Sequence, residues 1–238
     1  MKKVLLTMAA LVFGASLSAQ IAPEEDWAGF GRYAEMNKQV DHHPKAVFIG
    51  DSITDLWDDK EPEFFTGNDI LCRGISGQTT SQMLVRFRKD VLAHHPQYAL
   101  IMAGTNDIAR NNGYIALDDI VGNIVSMCEL ARKGGVTPII VSITPCKLYL
   151  WRTEVEDPAG KIIEVNRMLE AYAKKERIRY VDLHSVLKDE QDGLPAVYSQ
   201  DEVHPTLEGY KVMGPVILEA ISSDRHPGCK KGRKKAER

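Results

Sequence analysis

The sequence predicts an α/β fold, a three-layer α/β/α sandwich built on a five-stranded parallel sheet. Two observations lead to this prediction. Five short apolar runs are continuous rather than alternating, which is typical of strands buried on both faces. Amphipathic stretches of helical length separate the runs, and strands that alternate with helices form parallel sheets covered on both sides. The predicted strands are residues 46–49, 69–72, 98–103, 138–143 and 179–183.

Segments with apolar residues at helical intervals lie before, between and after these strands. They cover residues 23–41, 81–94, 117–132, 161–174 and 206–221. Gly134 and Gly135 follow the third segment and are expected to end it, because glycine is favoured just past a helix. Pro215 lies inside the last segment and is expected to kink or divide that helix.

Length and composition limit the possible functions. The chain has 238 residues, 44% of them hydrophobic, which suffices for one well-buried domain. Its formal net charge of -3 argues against a general nucleic-acid binder. The cysteines are widely spaced and include no C-x-x-C pair, so we expect neither a structural disulfide nor a bound metal. They are Cys72, Cys128, Cys146 and Cys229.

The two ends of the chain differ from its middle. Residues 1–19 have a basic start, an apolar run and a small-residue end, which predicts a signal peptide and a secreted or periplasmic protein. A buried N-terminal helix is the alternative. That run is too short to span a bilayer comfortably and no later run is longer, so we expect no integral membrane segment. Residues 225–238 are basic and predicted to be disordered, with attachment to an anionic surface as the alternative.

Three residues suited to chemistry each follow a predicted strand. Ser52 follows the first strand, Gly74 the second and Asn106 the third. The carboxyl ends of parallel strands share one edge of the sheet, and ligands of such sheets bind at that edge. We therefore expect the three residues to meet at one site.

Ser52 is the candidate nucleophile. Gly50 allows a sharp turn after the strand, and a serine at the start of the next helix lies among amides that favour a developing anion. Its alternative role is a helix N-cap. Asp201 and His204 offer a base and the carboxylate that orients it, since one imidazole nitrogen can donate to Asp201 while the other takes the serine proton. The combination predicts acyl transfer from an ester.

Hydrogen-bond donors for an oxyanion come from the same sheet edge. The candidates are the Asn106 side-chain amide and the backbone amides of Gly74 and Ser52. A glycine at position 74 is expected to let the substrate oxygen approach closely. The alternative is that Gly74 and Gly77 only build a turn and that Asn106 caps one.

Other polar residues are weaker candidates. Ser76 is the competing nucleophile, and His184, after the fifth strand, is the alternative base. Asp51 and Asp107 are interpreted as structural carboxylates that bind loop amides. The remaining histidines near helix ends are expected at the surface: His42, His43, His94 and His95.

Four motifs resemble, in identity and order, those of the SGNH, or GDSL-type, hydrolase superfamily. They are Gly50-Asp51-Ser52-Ile53, Arg73-Gly74, Gly104-Thr105-Asn106-Asp107 and Asp201-Glu202-Val203-His204. The resemblance covers about residues 45–221 and implies a flavodoxin-like strand order 2-1-3-4-5, ester hydrolysis through an acyl-serine, and no metal or other cofactor. It makes residues 20–224 a single SGNH hydrolase domain. Residues 68–86 also resemble secreted bacterial members related to acetylhydrolases and carbohydrate esterases.

Aromatic and basic residues near the predicted site are candidates for substrate binding. They are Trp57, Tyr149, Trp151 and Arg152. Aromatic rings stack on sugar faces or acyl chains, and an arginine can hold a carboxylate. The expected partner is a small ester or an acetylated glycan. A lysophospholipase or thioesterase, and a non-catalytic glycan-binding domain, remain alternatives, and the sequence leaves the oligomeric state open.

Overall fold

Five parallel strands form one sheet in the order β2-β1-β3-β4-β5, as the family resemblance implies. The computed structural model describes residues 26–222, so the predicted signal peptide and basic tail lie outside the described residues. The predicted α/β class and strand order are confirmed. The strands are β1 (Ala46–Gly50), β2 (Ile70–Gly74), β3 (Tyr98–Ile101), β4 (Thr137–Val141) and β5 (Arg179–Val181).

Helices connect and cover the strands. They are α1 (Ala34–Gln39), α2 (Ser52–Lys60), α3 (Pro62–Thr66), α4 (Thr80–Asp90), α5 (Thr105–Ile108), α6 (Leu117–Lys133), α7 (Pro158–Glu176), α8 (Leu183–Leu187) and α9 (Leu207–Ser222). Two expectations were wrong. Turns precede the short α1 where one long helix was expected. Helix α9 runs through Pro215 undivided.

Strand β1 shows why the sheet's apolar runs are continuous. Val47 and Ile49 pack into a core with α4, α6 and α7 on one face. Ala46 and Phe48 pack into the core on the other face, with α2, α3 and α9. Since both faces are covered, every residue of the strand is buried, and hydrophobic burial drives the layered arrangement.

The described cysteines are free thiols. Cys72, Cys128 and Cys146 are buried, and burial raises the pKa of each to about 12. Cys229 lies outside the described residues. Within residues 26–222, no group of histidine, cysteine and acidic side chains is arranged to hold a metal ion. No helix in that range is long and apolar enough to cross a membrane.

Candidate active site

Ser52 is the first residue of α2, at the carboxyl end of β1. The helix is capped by Asp51, whose side chain accepts a hydrogen bond from the Ile53 amide at 2.9 Å. The Ser52 hydroxyl is therefore not needed as the cap. Its Oγ lies 2.8 Å from His204 Nε2, which is within hydrogen-bond distance of a base.

The loop before α9 supplies that base. His204 Nδ1 lies 2.6 Å from Asp201 Oδ2, and Asp201 Oδ1 accepts from the His204 amide at 2.7 Å and the Val203 amide at 3.1 Å. Burial alone would raise the pKa of Asp201, but these hydrogen bonds outweigh it and lower that pKa to about 2. An ionised Asp201 keeps the proton on Nδ1, so Nε2 is free to accept the Ser52 proton.

Asn106 lies at the carboxyl end of β3, in the short helix α5. Its Oδ1 accepts from Asn111 Nδ2 at 2.7 Å, and its own Nδ2 donates to the Gln78 carbonyl at 3.1 Å. These two bonds fix the orientation of the amide, which has a second Nδ2 hydrogen for another acceptor. Sequence reasoning missed Asn111 and Gln78, which belong to no strand-end pattern.

Gly74 ends β2 beside the nucleophile's helix. A Cβ at this position would lie 2.3 Å from the Asp55 backbone nitrogen and 2.8 Å from the Thr54 carbonyl carbon. The close approach of α2 to the strand therefore requires a glycine at this position. The approach of a substrate oxygen to Gly74 stays a prediction.

Two buried carboxylates support the strand ends, as expected from the sequence. Asp107 accepts from the Thr80 amide at 2.9 Å and from Thr80 Oγ1 at 2.7 Å, which ties α5 to α4. Asp51 caps α2. Burial raises the pKa of Asp107 to about 6, and burial together with the nearby Asp107 charge raises that of Asp51 to about 6.

A known family of hydrolases matches most of this chain. The model of the GDSL-like Lipase/Acylhydrolase family matches residues 48–212, which contain all four motifs. The chain belongs to this family. It is an ester hydrolase with the fold that the sequence predicts.

Proteins that are similar to this chain include a lipase, an esterase and an acetylhydrolase subunit. A GDSL-like lipase of Bacteroides thetaiotaomicron is 40% identical and superposes with a TM-score of 0.80, covering 82% of this chain and 98% of its own. An acetylxylan esterase of Geobacillus stearothermophilus is 26% identical over 210 residues, 74% of this chain and 93% of its own. Platelet-activating factor acetylhydrolase IB subunit alpha1 of Rattus norvegicus is 29% identical over 128 residues, 50% of this chain and 53% of its own.

Two of the four residues expected to contact substrate are buried in the esterase. Trp57 is 0% exposed and stacks between Phe64 and Tyr210, with ring centroids 4.3 and 5.0 Å away. Tyr149 is also fully buried, and its hydroxyl hydrogen-bonds Thr105 Oγ1 at 2.9 Å. Both expectations are corrected, because neither ring offers a surface to a ligand.

The other two expected residues are accessible. Trp151 is 43% exposed, and its ring stacks on that of His204 with centroids 6.4 Å apart. Its Nε1 donates to Asn111 Oδ1 at 2.9 Å, so the indole is held by the same asparagine that orients Asn106. Arg152 lies next to it in the chain and pairs with Glu154 at 3.6 Å.

The competing residues have other partners. Ser76 Oγ donates to Asp55 Oδ2 at 2.8 Å, and Ser52, not Ser76, contacts the base. His184 is buried on α8 in a separate small cleft with Asn166 and Tyr180. His94 was expected at the surface but is buried, with Nε2 3.0 Å from Asn37 Oδ1.

A cleft of about 500 Å³ lies directly beside the base. His204 and Asp201 line one side, and Leu56, on the nucleophile's helix, lines another. The remaining lining residues mix polar and apolar side chains: Lys60, Gln200, Pro205, Thr206 and Leu207. A comparable cleft of about 510 Å³ beside α1 contains none of the motif residues.

Proposed function

We propose that this enzyme is a secreted or periplasmic serine carboxylesterase that removes short acyl groups, acetyl in the first instance, from glycans. The observation that carries the proposal is the hydrogen-bonded series from Asp201 through His204 to Ser52, with distances of 2.6 and 2.8 Å. This arrangement is what an acyl-serine mechanism requires.

The proposed reaction has two steps. His204 Nε2 takes the Ser52 proton as Oγ attacks the ester carbonyl, and the oxyanion of the tetrahedral intermediate accepts from the amides of Ser52 and Gly74 and from Asn106 Nδ2. The protonated His204 then gives its proton to the leaving alcohol, which leaves an acyl-serine. Water enters, loses a proton to His204, and attacks this ester to form a second tetrahedral intermediate. As that intermediate collapses, His204 returns the proton to Ser52 Oγ, which releases the acid and restores the serine.

The alcohol part of the substrate must lie next to His204, because His204 protonates it. A cleft lies beside His204, and its volume of about 500 Å³ is of the size that small-ligand sites have. Gln200, Thr206 and Lys60 offer hydrogen bonds there, while Leu56 and Leu207 offer apolar surface. Such a mixture suits a sugar ring, and the similarity to an acetylxylan esterase supports the same class of substrate.

A lipid ester is the second candidate. The loop after β4 exposes apolar side chains near the site, with Leu148, Leu150 and Trp151 all above one-third exposed. An acyl chain or a lipid surface could contact them, and the similarity to a platelet-activating factor acetylhydrolase subunit fits such a substrate.

Hydrolysis of p-nitrophenyl esters with two to twelve acyl carbons tests the proposal. We expect activity that is highest with acetate and falls to background in Ser52→Ala, on the order of a 10⁶-fold loss. Ser76→Ala is the matched control, because Ser76 is a nearby serine bound to Asp55, and it should retain activity. Activity that survives Ser52→Ala would refute the mechanism, and activity that peaks at long acyl chains would favour the lipid esterase.

The substrate class and the location need separate measurements. Acetate release from acetylated xylo-oligosaccharides should exceed release from a short-chain acetylated lysophospholipid analogue at equal concentration. The reverse result would favour the lipid esterase. Expression of the full chain in a bacterial host, followed by fractionation and N-terminal sequencing, should recover a shortened protein outside the cytoplasm. Recovery of the uncut chain in the cytoplasm would refute the proposed export.

A further inference from the structure

A buried ion pair lies behind the candidate site, and the proposed mechanism does not use it. Arg86 and Asp90 are one turn apart on α4, both side chains are 0% exposed, and their N and O atoms are 3.1 Å apart. Burying two charges costs several kcal/mol for each ion unless hydrogen bonds satisfy them. A pair in this place therefore needs an explanation in terms of what it contacts.

The Arg86 guanidinium contacts three segments that carry the motifs. Its Nη2 donates to the carbonyl of Gly50 at 3.2 Å and to the carbonyl of Arg73 at 2.9 Å. Its Nε donates to Gln78 Oε1 at 2.6 Å. One side chain thus joins the end of β1, the end of β2 and the loop that precedes α4.

Each of the last two contacts leads to a proposed oxyanion donor. The Arg73 carbonyl belongs to the same peptide group as the Gly74 N–H, and a cation bonded to the carbonyl polarises that group, which strengthens the N–H as a donor. Gln78 is held at its side chain by Arg86, while its backbone carbonyl accepts from Asn106 Nδ2. Arg86 is therefore one hydrogen bond away from the Gly74 peptide group, and it reaches Asn106 through two hydrogen bonds joined by Gln78.

A second guanidinium is buried near Arg86. Arg73 is buried as well, and its hydrogen bonds go to neutral acceptors, Asn37 Oδ1 at 2.9 Å and the Cys72 carbonyl at 2.6 Å. Two guanidinium groups thus lie behind the site, while Asp90 is the carboxylate that Arg86 contacts. A fixed cation in a region of low dielectric favours negative charge nearby, and the oxyanion of the intermediate is such a charge.

We propose that Arg86 is a positioning residue of the oxyanion hole: it polarises the Gly74 amide, orients Asn106 through Gln78, and supplies a positive charge behind both. This inference rests on the proposed function, because it takes Gly74 and Asn106 as the donors. A purely structural role for Arg86, satisfying three acceptors at the strand ends, predicts lower stability and unchanged catalysis in the folded enzyme.

Three variants and a control separate the two roles. Arg86→Gln removes the charge, and Arg86→Lys keeps it with fewer donors. Gln78→Met removes the bond from Arg86 to Gln78 Oε1 together with the bond from Gln78 Nε2 to the Ala28 carbonyl, and keeps the backbone carbonyl that accepts from Asn106. Leu169→Ala is the control for lost stability, because Leu169 is a fully buried core residue on α7 and belongs to none of the motifs. For each folded protein, kcat and KM for p-nitrophenyl acetate are measured, together with the Ki of an alkyl boronic acid, which forms a tetrahedral anion on an activated serine.

We expect Arg86→Gln to lower kcat at least tenfold with KM within about twofold, because an oxyanion donor matters in the transition state and not in the ground state. The boronate Ki should rise by the same factor as kcat/KM falls. Arg86→Lys and Gln78→Met should lie between this variant and the wild type. Leu169→Ala should lose stability but keep kcat and Ki.

An unchanged kcat and Ki in folded Arg86→Gln would overturn the inference. If that variant does not fold, unchanged values in both Arg86→Lys and Gln78→Met would overturn it. The proposed function is tested separately by the wild type: if it shows no Ser52-dependent hydrolysis, the function has failed, whereas an active wild type with unaffected variants refutes only the role of Arg86.

Discussion

The two sides of the candidate site are built in different ways. The oxyanion side is part of the protein interior, where Asn106, Gln78 and Asp107 are buried. Asn106 donates to the Gln78 carbonyl, and Asp107 accepts from the Thr80 amide. The acid–base side is a loop outside any helix or strand, and the Asp201 side chain is 44% exposed. Asp201 holds the inside of that loop by accepting from Ser199 Oγ and from the amides of Val203 and His204. A bridge between Ser199 and Pro205 closes the loop.

Because of this difference, substitutions in the loop and substitutions on the oxyanion side should affect catalysis and stability to different extents. A change in the loop alters few buried contacts, so it should damage the reaction and spare the fold. A change on the oxyanion side removes partners from buried polar groups, which costs stability as well as rate. The loss of one side chain is therefore expected to lower mainly the reaction rate on the loop side, and both rate and stability on the oxyanion side.

The largest effect is expected from Asp201→Asn. The amide can no longer fix the Nδ1–H tautomer of His204, so kcat should fall by about 10⁴-fold. The melting temperature at neutral pH should fall modestly, because ionised Asp201 also stabilises the fold through its hydrogen bonds. Glu202→Gln is the matched control, because it removes the same charge from the next residue of the loop, and it should keep kcat close to that of the wild type. A loss in the control equal to that in Asp201→Asn would mean that the loop's charge, not the orientation of His204, is what matters.

Asn106→Ala should lose both properties. Losing an oxyanion donor lowers kcat by about 10²–10³-fold, and leaving the Gln78 carbonyl and the Asn111 amide without a partner costs about 1–3 kcal/mol of unfolding free energy. Steady-state kinetics and urea unfolding measure the two. Asn68→Ala, at the end of α3 and bonded to the Phe64 carbonyl, is the control and should keep kcat. Full stability in Asn106→Ala would remove the contrast between the two sides.

Acid should affect the two sides in opposite directions. The folded-state pKa of Asp107 is about 6, above its ordinary value of 3.8, so the folded state binds the proton more tightly. Its contribution to stability is complete below about pH 4 and is lost as pH rises to about 6, by up to about 3 kcal/mol. Asp201, with a pKa of about 2, stabilises the fold above about pH 4 and loses that effect as pH falls toward 2.

Urea unfolding between pH 2 and 7 measures this contrast. Asp107→Asn should flatten the fall in stability between about pH 4 and 6, and Asp201→Asn should flatten the loss below about pH 4. Identical profiles for the wild type and Asp107→Asn would show that this carboxyl does not titrate in that range.

The smallest effect is expected at Trp151, where the two sides meet. Trp151→Ala removes a ring stacked on His204 and should raise KM by about three- to tenfold, since such ring contacts contribute about 1 kcal/mol. Trp151→Phe keeps a ring but loses the bond to Asn111, so it should keep KM and lower kcat slightly through Asn106. A KM in Trp151→Ala equal to that of the wild type would exclude substrate contact.

The strands and the functional edge of the sheet could be predicted from the sequence, because the patterns that mark them are local. Continuous apolar runs marked all five strands, and residues after three of them marked the sheet edge where Ser52, Gly74 and Asn106 lie. Short helices such as α3 and α5 were not predicted, since one or two turns carry too few periods to be recognised.

The errors concern residues whose role depends on distant partners. Trp57 was expected to contact substrate because it lies one turn beyond Ser52, but it points into the core toward α3 and α9. Arg86 was overlooked, although one signal existed: the spacing of Met83, Phe87 and Asp90 places it on the buried face of its own helix. Only the folded chain shows that three carbonyl and amide oxygens from other segments meet it there.

The hydrogen bond between Ser52 and His204 joins residues that are synthesised at different times. These residues are 152 positions apart, so the ribosome makes the nucleophile and all five strands before it adds the base. Helix α9, which follows the base, must then dock its Tyr210 hydroxyl on the Ile53 carbonyl at 2.8 Å, next to the nucleophile. Until His204 has been added, a growing chain lacks the base that the proposed mechanism gives to Ser52.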